Sequence, residues 1–97
     1  MEVKEITKFR EISNKAEVYR KQGNYKGVID LYKVIWGKEN ANFDNWDSWR
    51  YSSSLRKVGK VKEALEICTE VYKRSPNFVQ NVSIFSWCLF DYYINKD

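Results

Sequence analysis

Residue types that commonly catalyse reactions or bind metals are sparse in this sequence. Its 97 residues include no histidine and two cysteines, Cys68 and Cys88, which lack Cys-x-x-Cys spacing. Because histidine is the usual general base and metal ligand near neutral pH, most hydrolase and metalloenzyme schemes are excluded. Tyr51 and the serines at 52–54 have no paired base in a recognisable arrangement. We therefore expect a non-enzymatic protein without a metal or cofactor, in which both cysteines are reduced and buried.

Side chains suited to binding are more abundant. The chain contains four tryptophans, and its 17 Lys or Arg residues against 13 Asp or Glu residues give a net charge of +4. Trp46 and Trp49 lie close to Arg50 in the sequence, and both residue types are over-represented among those that dominate binding interfaces. A protein or peptide ligand, either acidic or with aromatic side chains, is the first interpretation. A single-stranded nucleic acid, whose bases stack on tryptophan and whose phosphates attract Arg and Lys, is the less favoured alternative.

The element that must position these residues is clearest at residues 56–76. Gly59 suits the left-handed conformation that ends a helix, and Pro76 cannot continue one. Between them, apolar residues recur at helical spacing with charged residues in between, which predicts an amphipathic helix. A turn of about two residues requires the helices on either side to be antiparallel and in contact. This stretch therefore predicts a helical hairpin.

The hairpin pattern also occurs earlier in the chain, at an offset of 36 residues. The corresponding pairs are Ala16 and Ser52, Tyr19 and Leu55, Gly23 and Gly59, Tyr25 and Val61, Val28 and Ala64, Tyr32 and Cys68, and Ile35 and Val71. A partial third copy follows at an offset of 34, where Phe85, Ser86 and Leu89 correspond to Tyr51, Ser52 and Leu55. Self-similar helical hairpins with a period of this length are typical of solenoid arrays.

Together these patterns predict an all-α protein with five helices and no strands. The helices are expected at residues 9–22, 25–36, 45–58, 61–74 and 77–95, with turns at 21–25 and 58–61 and a loop at 40–43. Asp44 is the predicted N-cap of the third helix, with Asp47 placing negative charge in its first turn. Asn77 is the predicted N-cap of the fifth helix, with Gln80 in capping-box register.

The repeated residues resemble the tetratricopeptide repeat (TPR) family, through the small residue of each first helix, the Gly-x-apolar turn and Pro76. The resemblance covers about residues 9–95. It implies a right-handed α–α superhelix of antiparallel hairpins in a single domain, residues 1–97. Repeat 1 spans about 9–42 and repeat 2 about 45–76, and the helix at 77–95 is a terminal half-repeat. In this family the first helix of each repeat lines a concave groove that binds peptides, so the resemblance implies a protein–protein interaction scaffold.

Transferred to this sequence, the family's geometry gives a set of candidate groove residues. They are Arg10, Asn14, Glu17, Arg20, Trp46, Trp49, Arg50, Ser53, Arg56, Lys57 and Trp87, with Ser13, Lys21, Gln80, Ser83 and Ile84 beside them. Counting six Lys or Arg residues in this set against Glu17 alone predicts a balance of +5. We therefore expect a basic, tryptophan-containing groove.

The fifth predicted helix has almost no polar face. A helix that is apolar all round is expected to be buried on all sides, and a terminal solenoid helix is normally polar on its outer side. We therefore expect either a continuation into a longer protein or self-association through this helix. The candidate interface residues are Phe85, Trp87, Leu89, Tyr92 and Tyr93.

The rest of the sequence predicts no association with a membrane. No apolar run approaches the roughly 18 residues needed to span one, and the first residues do not resemble a signal peptide. A cytoplasmic protein is the interpretation that follows.

Overall fold

Every regular element in the part of the chain that the structure describes is a helix. The computed structural model describes residues 3–36 and 43–94. Its helices are α1 (Val3–Lys21), α2 (Tyr25–Lys33), α3 (Asn45–Lys57), α4 (Val61–Arg74) and α5 (Val79–Ile94). The all-α prediction is confirmed. The boundaries of α3 and α4 agree with the sequence to within one residue, whereas α1 begins six residues earlier than predicted and α2 ends three residues earlier. The predicted loop at 40–43 lies outside the described residues except for Phe43.

The turns that follow α1 and α3 have the same geometry. Gly23 and Gly59 have φ angles of 75° and 89°, values that L-residues with a side chain rarely adopt. In each turn the amide of the residue after the glycine donates to the carbonyl five residues back, at 2.8 Å. This closure satisfies carbonyls at the helix end and reverses the chain. It produces the two predicted helical hairpins, α1 with α2 and α3 with α4.

The start of α3 is held by a reciprocal pair of hydrogen bonds. Asp44 accepts from the amide of Asp47 at 3.0 Å, and the Asp47 carboxylate accepts from the amide of Asp44 at 3.2 Å. This is a capping box, which satisfies two amides that the helix itself leaves without partners. The predicted N-cap at Asp44 is confirmed.

The predicted N-cap of α5 at Asn77 is wrong. Asn77 instead lies in a tight turn in which the amide of Phe78 donates to the carbonyl of Ser75 at 3.1 Å. Pro76 favours this turn, because its fixed φ suits the second position. The helix therefore begins two residues later, at Val79, where the carbonyl of Phe78 accepts from the amides of the first turn.

The helices form two rows. Each helix packs against the next along the chain, and α3 also contacts both α1 and α5. Helices α1, α3 and α5 are therefore neighbours in one row, while α2 and α4 cover the other side. No helix among the described residues is long and apolar enough to cross a membrane.

The core lies between the two rows. Its hydrophobic side chains with no solvent exposure are Ala16, Val28, Tyr32, Leu55, Ala64, Cys68 and Cys88. Both cysteines are free and buried, as predicted. The hydrogen bond between the two thiols raises the pKa of Cys68, and burial raises it further, so this thiol stays protonated. Asn81, also buried, donates from Nδ2 to the carbonyl of Cys68 at 3.0 Å and ties α5 to α4.

Replacing Ala64 with leucine should destabilise the fold by overpacking. Ala64 has no solvent exposure, so the additional carbon atoms must displace neighbouring groups, at a cost of about 1–3 kcal/mol. Urea unfolding followed by circular dichroism measures this cost. Lys62→Leu is the matched control, because it introduces the same side chain at an exposed position of the same helix. Equal unfolding midpoints for Ala64→Leu and the wild type would contradict tight packing around Ala64.

Candidate functional site

Helix α3 supplies the centre of the predicted groove. Its candidate residues recur at spacings of three and four, so they lie on one side of the helix, while Tyr51, Ser52 and Leu55 on the other side are buried. We call the full predicted set the α1–α3–α5 surface. It comprises Arg10, Asn14, Glu17 and Arg20 from α1, Trp46, Trp49, Arg50, Ser53, Arg56 and Lys57 from α3, and Trp87 from α5.

Glu17 joins α1 to α3 on this surface. Its carboxylate accepts from Arg20 Nη2 at 2.6 Å and from Arg50 Nε at 2.7 Å. The Arg20 guanidinium also lies over the ring of Trp49, 5.0 Å from its centroid. The hydrogen bond from Arg20, followed by that from Arg50, lowers the pKa of Glu17 to about 2, against the opposing effect of burial. Glu17, Arg20, Trp49 and Arg50 therefore form one connected group of charged and aromatic side chains.

A second carboxylate, Asp47, lies directly behind this group. Its Oδ1 atom accepts from Ser13 Oγ and Tyr32 Oη, each at 2.6 Å, and from Arg50 Nη1 at 3.2 Å. Only 5% of Asp47 is exposed. Burial raises the pKa of its carboxyl group, and the hydrogen bonds from Ser13 and Tyr32 oppose that rise. Burial, and then the contact with Asp47, raise the pKa of Tyr32, which keeps its hydroxyl protonated and able to donate.

A third carboxylate joins α3 to α5. Arg56 Nε donates to Asp91 Oδ2 at 2.7 Å, and the same guanidinium lies over the ring of Trp87, 5.2 Å from its centroid. The sequence prediction assigned Trp87 both to the groove and to the self-association interface. Its ring contacts Arg56 and also packs edge-to-face on Phe90, with centroids 6.0 Å apart, so it lies at the border between the α1–α3–α5 surface and the exposed side of α5.

The tryptophans differ in exposure. Trp46 and Trp87 are 44% and 53% exposed, whereas Trp49 is half-buried and packs against the core. Trp46 makes edge-to-face contacts with Trp49 and Phe78, with centroids 5.8 and 5.1 Å apart. Trp46 is therefore the more accessible of the two tryptophans on α3.

The remaining candidates lie around these groups. Ser53 is half-buried, and its hydroxyl donates to the carbonyl of Arg50 at 3.4 Å. Arg10, Asn14 and Lys57 are exposed and take part in none of the contacts described above. The structure thus brings together the charged and aromatic centre of the predicted set and leaves these three at its margin.

The expected charge balance of the surface needs correction. Sequence reasoning counted Glu17 alone against six basic residues, but Asp47 and Asp91 also bind arginines of this surface. Including both lowers the balance from +5 to +3. Both acids were missed because Asp47 was interpreted only as a charge in the first turn of its helix, and Asp91 lies within an apolar stretch. Asp91 lies about one repeat length after Arg56, and this spacing would have predicted that the two residues pair.

A cavity lined by described residues lies elsewhere on the molecule. It has a volume of about 230 Å³ and is lined by Lys26, Ile29, Asp30, Lys33, Val58 and Lys60. It lies between α2 and the turn after α3, away from the α1–α3–α5 surface. Lys33 pairs with Asp30 at 3.3 Å, and both side chains are at least half exposed. The cavity adds nothing to the predicted site.

Removing the Tyr32 hydroxyl should destabilise the protein without disturbing its ring packing. Tyr32→Phe removes one of the donors to the buried Asp47 carboxylate, and a hydrogen bond to a charged group contributes about 1.5–3 kcal/mol. Urea unfolding measures the loss. Tyr72→Phe is the matched control, because it makes the same change at a side chain that is 47% exposed. Similar unfolding midpoints for the two variants would contradict a special contribution of the Tyr32–Asp47 bond.

Glu17 should contribute pH-dependent stability. Its pKa of about 2 in the folded protein is below the ordinary value of 4.5, so its contribution is complete above about pH 4.5. That contribution is lost as the pH falls towards 2. The difference in unfolding free energy between the wild type and Glu17→Gln should therefore be largest near pH 6 and shrink by about pH 2. Urea titrations across this range test it, and a difference that does not change with pH would contradict the assignment.

Comparison of the chain with protein-family models, with curated proteins and with solved structures finds no match. The TPR resemblance therefore rests on the repeated residues quoted above and stays a prediction.

Proposed function

We propose that this chain is a cytoplasmic, non-enzymatic, TPR-like interaction module that binds a peptide on the α1–α3–α5 surface. The repeat assignment is supported by residues 36 positions apart that share the same environment. Ala16 and Ser52, Val28 and Ala64, and Tyr32 and Cys68 are pairs in which neither side chain has solvent exposure. The two glycine turns also close with the same hydrogen bonds. The proposal includes use as a scaffold, either alone or within a longer protein.

The observation that carries the proposed activity is the placement of the two exposed tryptophans. Trp46 lies at the start of α3. Trp87, on α5, contacts Arg56, which lies near the end of α3. Ten residues of helix separate positions 46 and 56, which corresponds to about 15 Å. An extended peptide covers that distance with about five residues. The surface therefore suits a peptide that carries two large apolar or aromatic side chains about five residues apart.

The polar groups between the tryptophans are already held in place. Arg50 is bound by Glu17 and Asp47, and Arg56 is bound by Asp91. The side chains of Glu17, Arg50, Arg56 and Asp91 are 18–27% exposed and can therefore also hydrogen-bond a peptide backbone. Because they are already held, they lose little further entropy on binding. We therefore assign specificity for side chains to the tryptophans, and orientation of the peptide backbone to the ion pairs.

The same pairs argue against a nucleic acid as the main ligand. A single strand needs accessible Arg or Lys side chains along its phosphates. Here Arg20, Arg50 and Arg56 already bind carboxylates, which leaves Arg10 and Lys57, at the margin of the surface, as its exposed basic side chains without such a partner in the contacts described above. A peptide, which carries less charge per unit length, makes no such demand.

The proposal is tested by selecting 12-residue peptides from a random phage-displayed library against the whole chain. Affinity of a selected peptide is then measured by fluorescence anisotropy with the double variant Trp46→Ala/Trp87→Ala. Loss of an aromatic anchor typically costs about 2 kcal/mol or more, so affinity should fall by at least roughly 30-fold. Tyr72→Ala is the matched control, because it removes an exposed aromatic residue from α4, in the other row. Its affinity should match that of the wild type.

Other outcomes would contradict the proposal. Equal affinity of the double variant and the wild type would remove the α1–α3–α5 surface as the binding site. Binding of a 12-nucleotide oligouridine with an affinity that falls steeply with salt, together with no selected peptide, would favour the nucleic-acid alternative. Circular dichroism of each variant verifies that its helices are intact.

A further inference from the structure

Helix α5 has an exposed side on which no charged residue lies. The residues on it are Val79, Val82, Ser83, Ser86, Leu89, Phe90 and Tyr93, all of them exposed, and we call them the outer face of α5. Each lies three, four or seven residues from Ser86, which places Ser86 at the centre of the face. The opposite side of the helix, with Asn81, Ile84 and Cys88, is buried. The outer face adjoins the α1–α3–α5 surface at Trp87, whose ring packs edge-to-face on Phe90.

The outer face is large for exposed apolar surface on a small protein. Phe90 and Tyr93 are 55% and 65% exposed, and an aromatic side chain carries about 200 Å², so these two rings leave on the order of 240 Å² uncovered. Val79, Val82 and Leu89 enlarge this area. The result is comparable with the largest patches of typical monomers, about 300–600 Å², which are often interaction sites.

The order of side chains along the outer face fits a second copy of itself. Reflection about Ser86 exchanges Val79 with Tyr93, Val82 with Phe90, and Ser83 with Leu89. When two copies of α5 cross antiparallel at Ser86, each small side chain of one copy therefore meets a large side chain of the other. Ser86 itself is small enough to allow the two helices to approach closely at the crossing point.

Charge and packing also favour this occupant. The chain has a net charge of +4, but no lysine or arginine lies on the outer face, so two copies can pack there without like-charge contacts. At the offset of 34 found in the sequence, Ser86 and Leu89 correspond to Ser52 and Leu55, and both of these are fully buried. Helix α3, the preceding helix of the row, thus buries the residues at two positions that α5 exposes on its outer face.

We propose that the protein forms a twofold homodimer in which the outer faces of two α5 helices pack antiparallel, crossing at Ser86. A self-complementary face closes on itself, so assembly stops at two chains. The residues differ from those expected from the sequence. Leu89 and Tyr93 lie on the outer face, but Phe85 and Tyr92 are half-buried, and Trp87 contacts Arg56. Val79, Val82 and Phe90, which were not among the predicted interface residues, belong to the proposed interface.

Cross-linking tests the geometry directly. Ser86→Cys should form a disulfide-linked dimer under copper phenanthroline, because the two copies of position 86 meet at the crossing point. Val79→Cys is the matched control, since position 79 is also exposed but lies seven residues from the crossing point. In the antiparallel pair, the two copies of position 79 are about 21 Å apart along the helix axis and cannot form a disulfide. The native cysteines are buried, and the wild type serves as the reference for any linkage through them.

A charge-swap experiment tests the pairing of Val82 with Phe90. Val82→Lys and Phe90→Glu should each raise the dimer dissociation constant by at least roughly tenfold, because each buries a charge opposite an apolar side chain. Mixed in equal amounts, the two variants should associate again. The lysine introduced in one chain then faces the glutamate introduced in the other, and the remaining Phe90 faces the remaining Val82. Sedimentation velocity follows both steps, and circular dichroism verifies that the variants are folded.

Three results would overturn the proposal. The first is a wild type that sediments as an 11.6 kDa monomer at 100 micromolar. The second is disulfide linkage of Val79→Cys equal to that of Ser86→Cys. The third is failure of the mixed Val82→Lys and Phe90→Glu variants to associate. Self-linkage at position 79 would indicate a parallel pair instead. A monomeric wild type would leave the peptide-binding proposal intact, because the two surfaces share no proposed contact residue.

Discussion

The buried carboxylate of Asp47 is the interaction on which the arrangement of the first three helices depends. Its oxygens accept from Ser13 on α1, from Tyr32 on α2, and from Arg50 and the Asp44 amide at the start of α3. A carboxylate removed from water costs several kcal/mol unless its hydrogen bonds are made. Since no single helix supplies all these donors, the favourable state requires the three helices to be in register at once. Apolar contacts alone would tolerate small sliding movements that these directional bonds do not.

Arg50 carries this constraint to the molecular surface. Through Nη1 it binds Asp47 in the interior, and through Nε it binds Glu17, which in turn holds Arg20 over the ring of Trp49. The buried carboxylate of Asp47, acting through Arg50, thus fixes the positions of the charged and aromatic groups on the α1–α3–α5 surface. A surface fixed in this way loses little conformational entropy when a ligand binds. The arginines that sequence reasoning counted as free positive charge serve first to hold α1, α3 and α5 together.

Local signals allowed the helices and turns to be predicted from the sequence, whereas the ion pairs depended on tertiary geometry. Gly23 and Gly59 mark the turns because their conformation is a property of the residue itself, and Asp44 marks a helix start for a similar reason. Pro76 indicated a helix boundary correctly, but it also favoured a turn that shifted the start of α5 past Asn77. The pairs Glu17–Arg50 and Arg56–Asp91 join residues 33 and 35 positions apart, about one repeat. Helical periodicity identifies the side of a helix on which each residue lies, but not which partner lies opposite it.

The composition of helix α5 did not predict which of its apolar residues are buried and which are exposed. The sequence described it as apolar all round, but the fold divides it into three sides: one buried around Cys88, one that faces Arg56, and the outer face centred on Ser86. Trp87 lies where the last two meet, since its ring contacts Arg56 and also packs edge-to-face on Phe90 with centroids 6.0 Å apart. If a second copy covers Phe90, fewer rotamers are accessible to the Phe90 ring. Fewer are then also accessible to the Trp87 ring, which packs on it. Self-association through the outer face would then preorder one of the two tryptophans proposed to anchor a peptide, which links the two surfaces through a single aromatic contact.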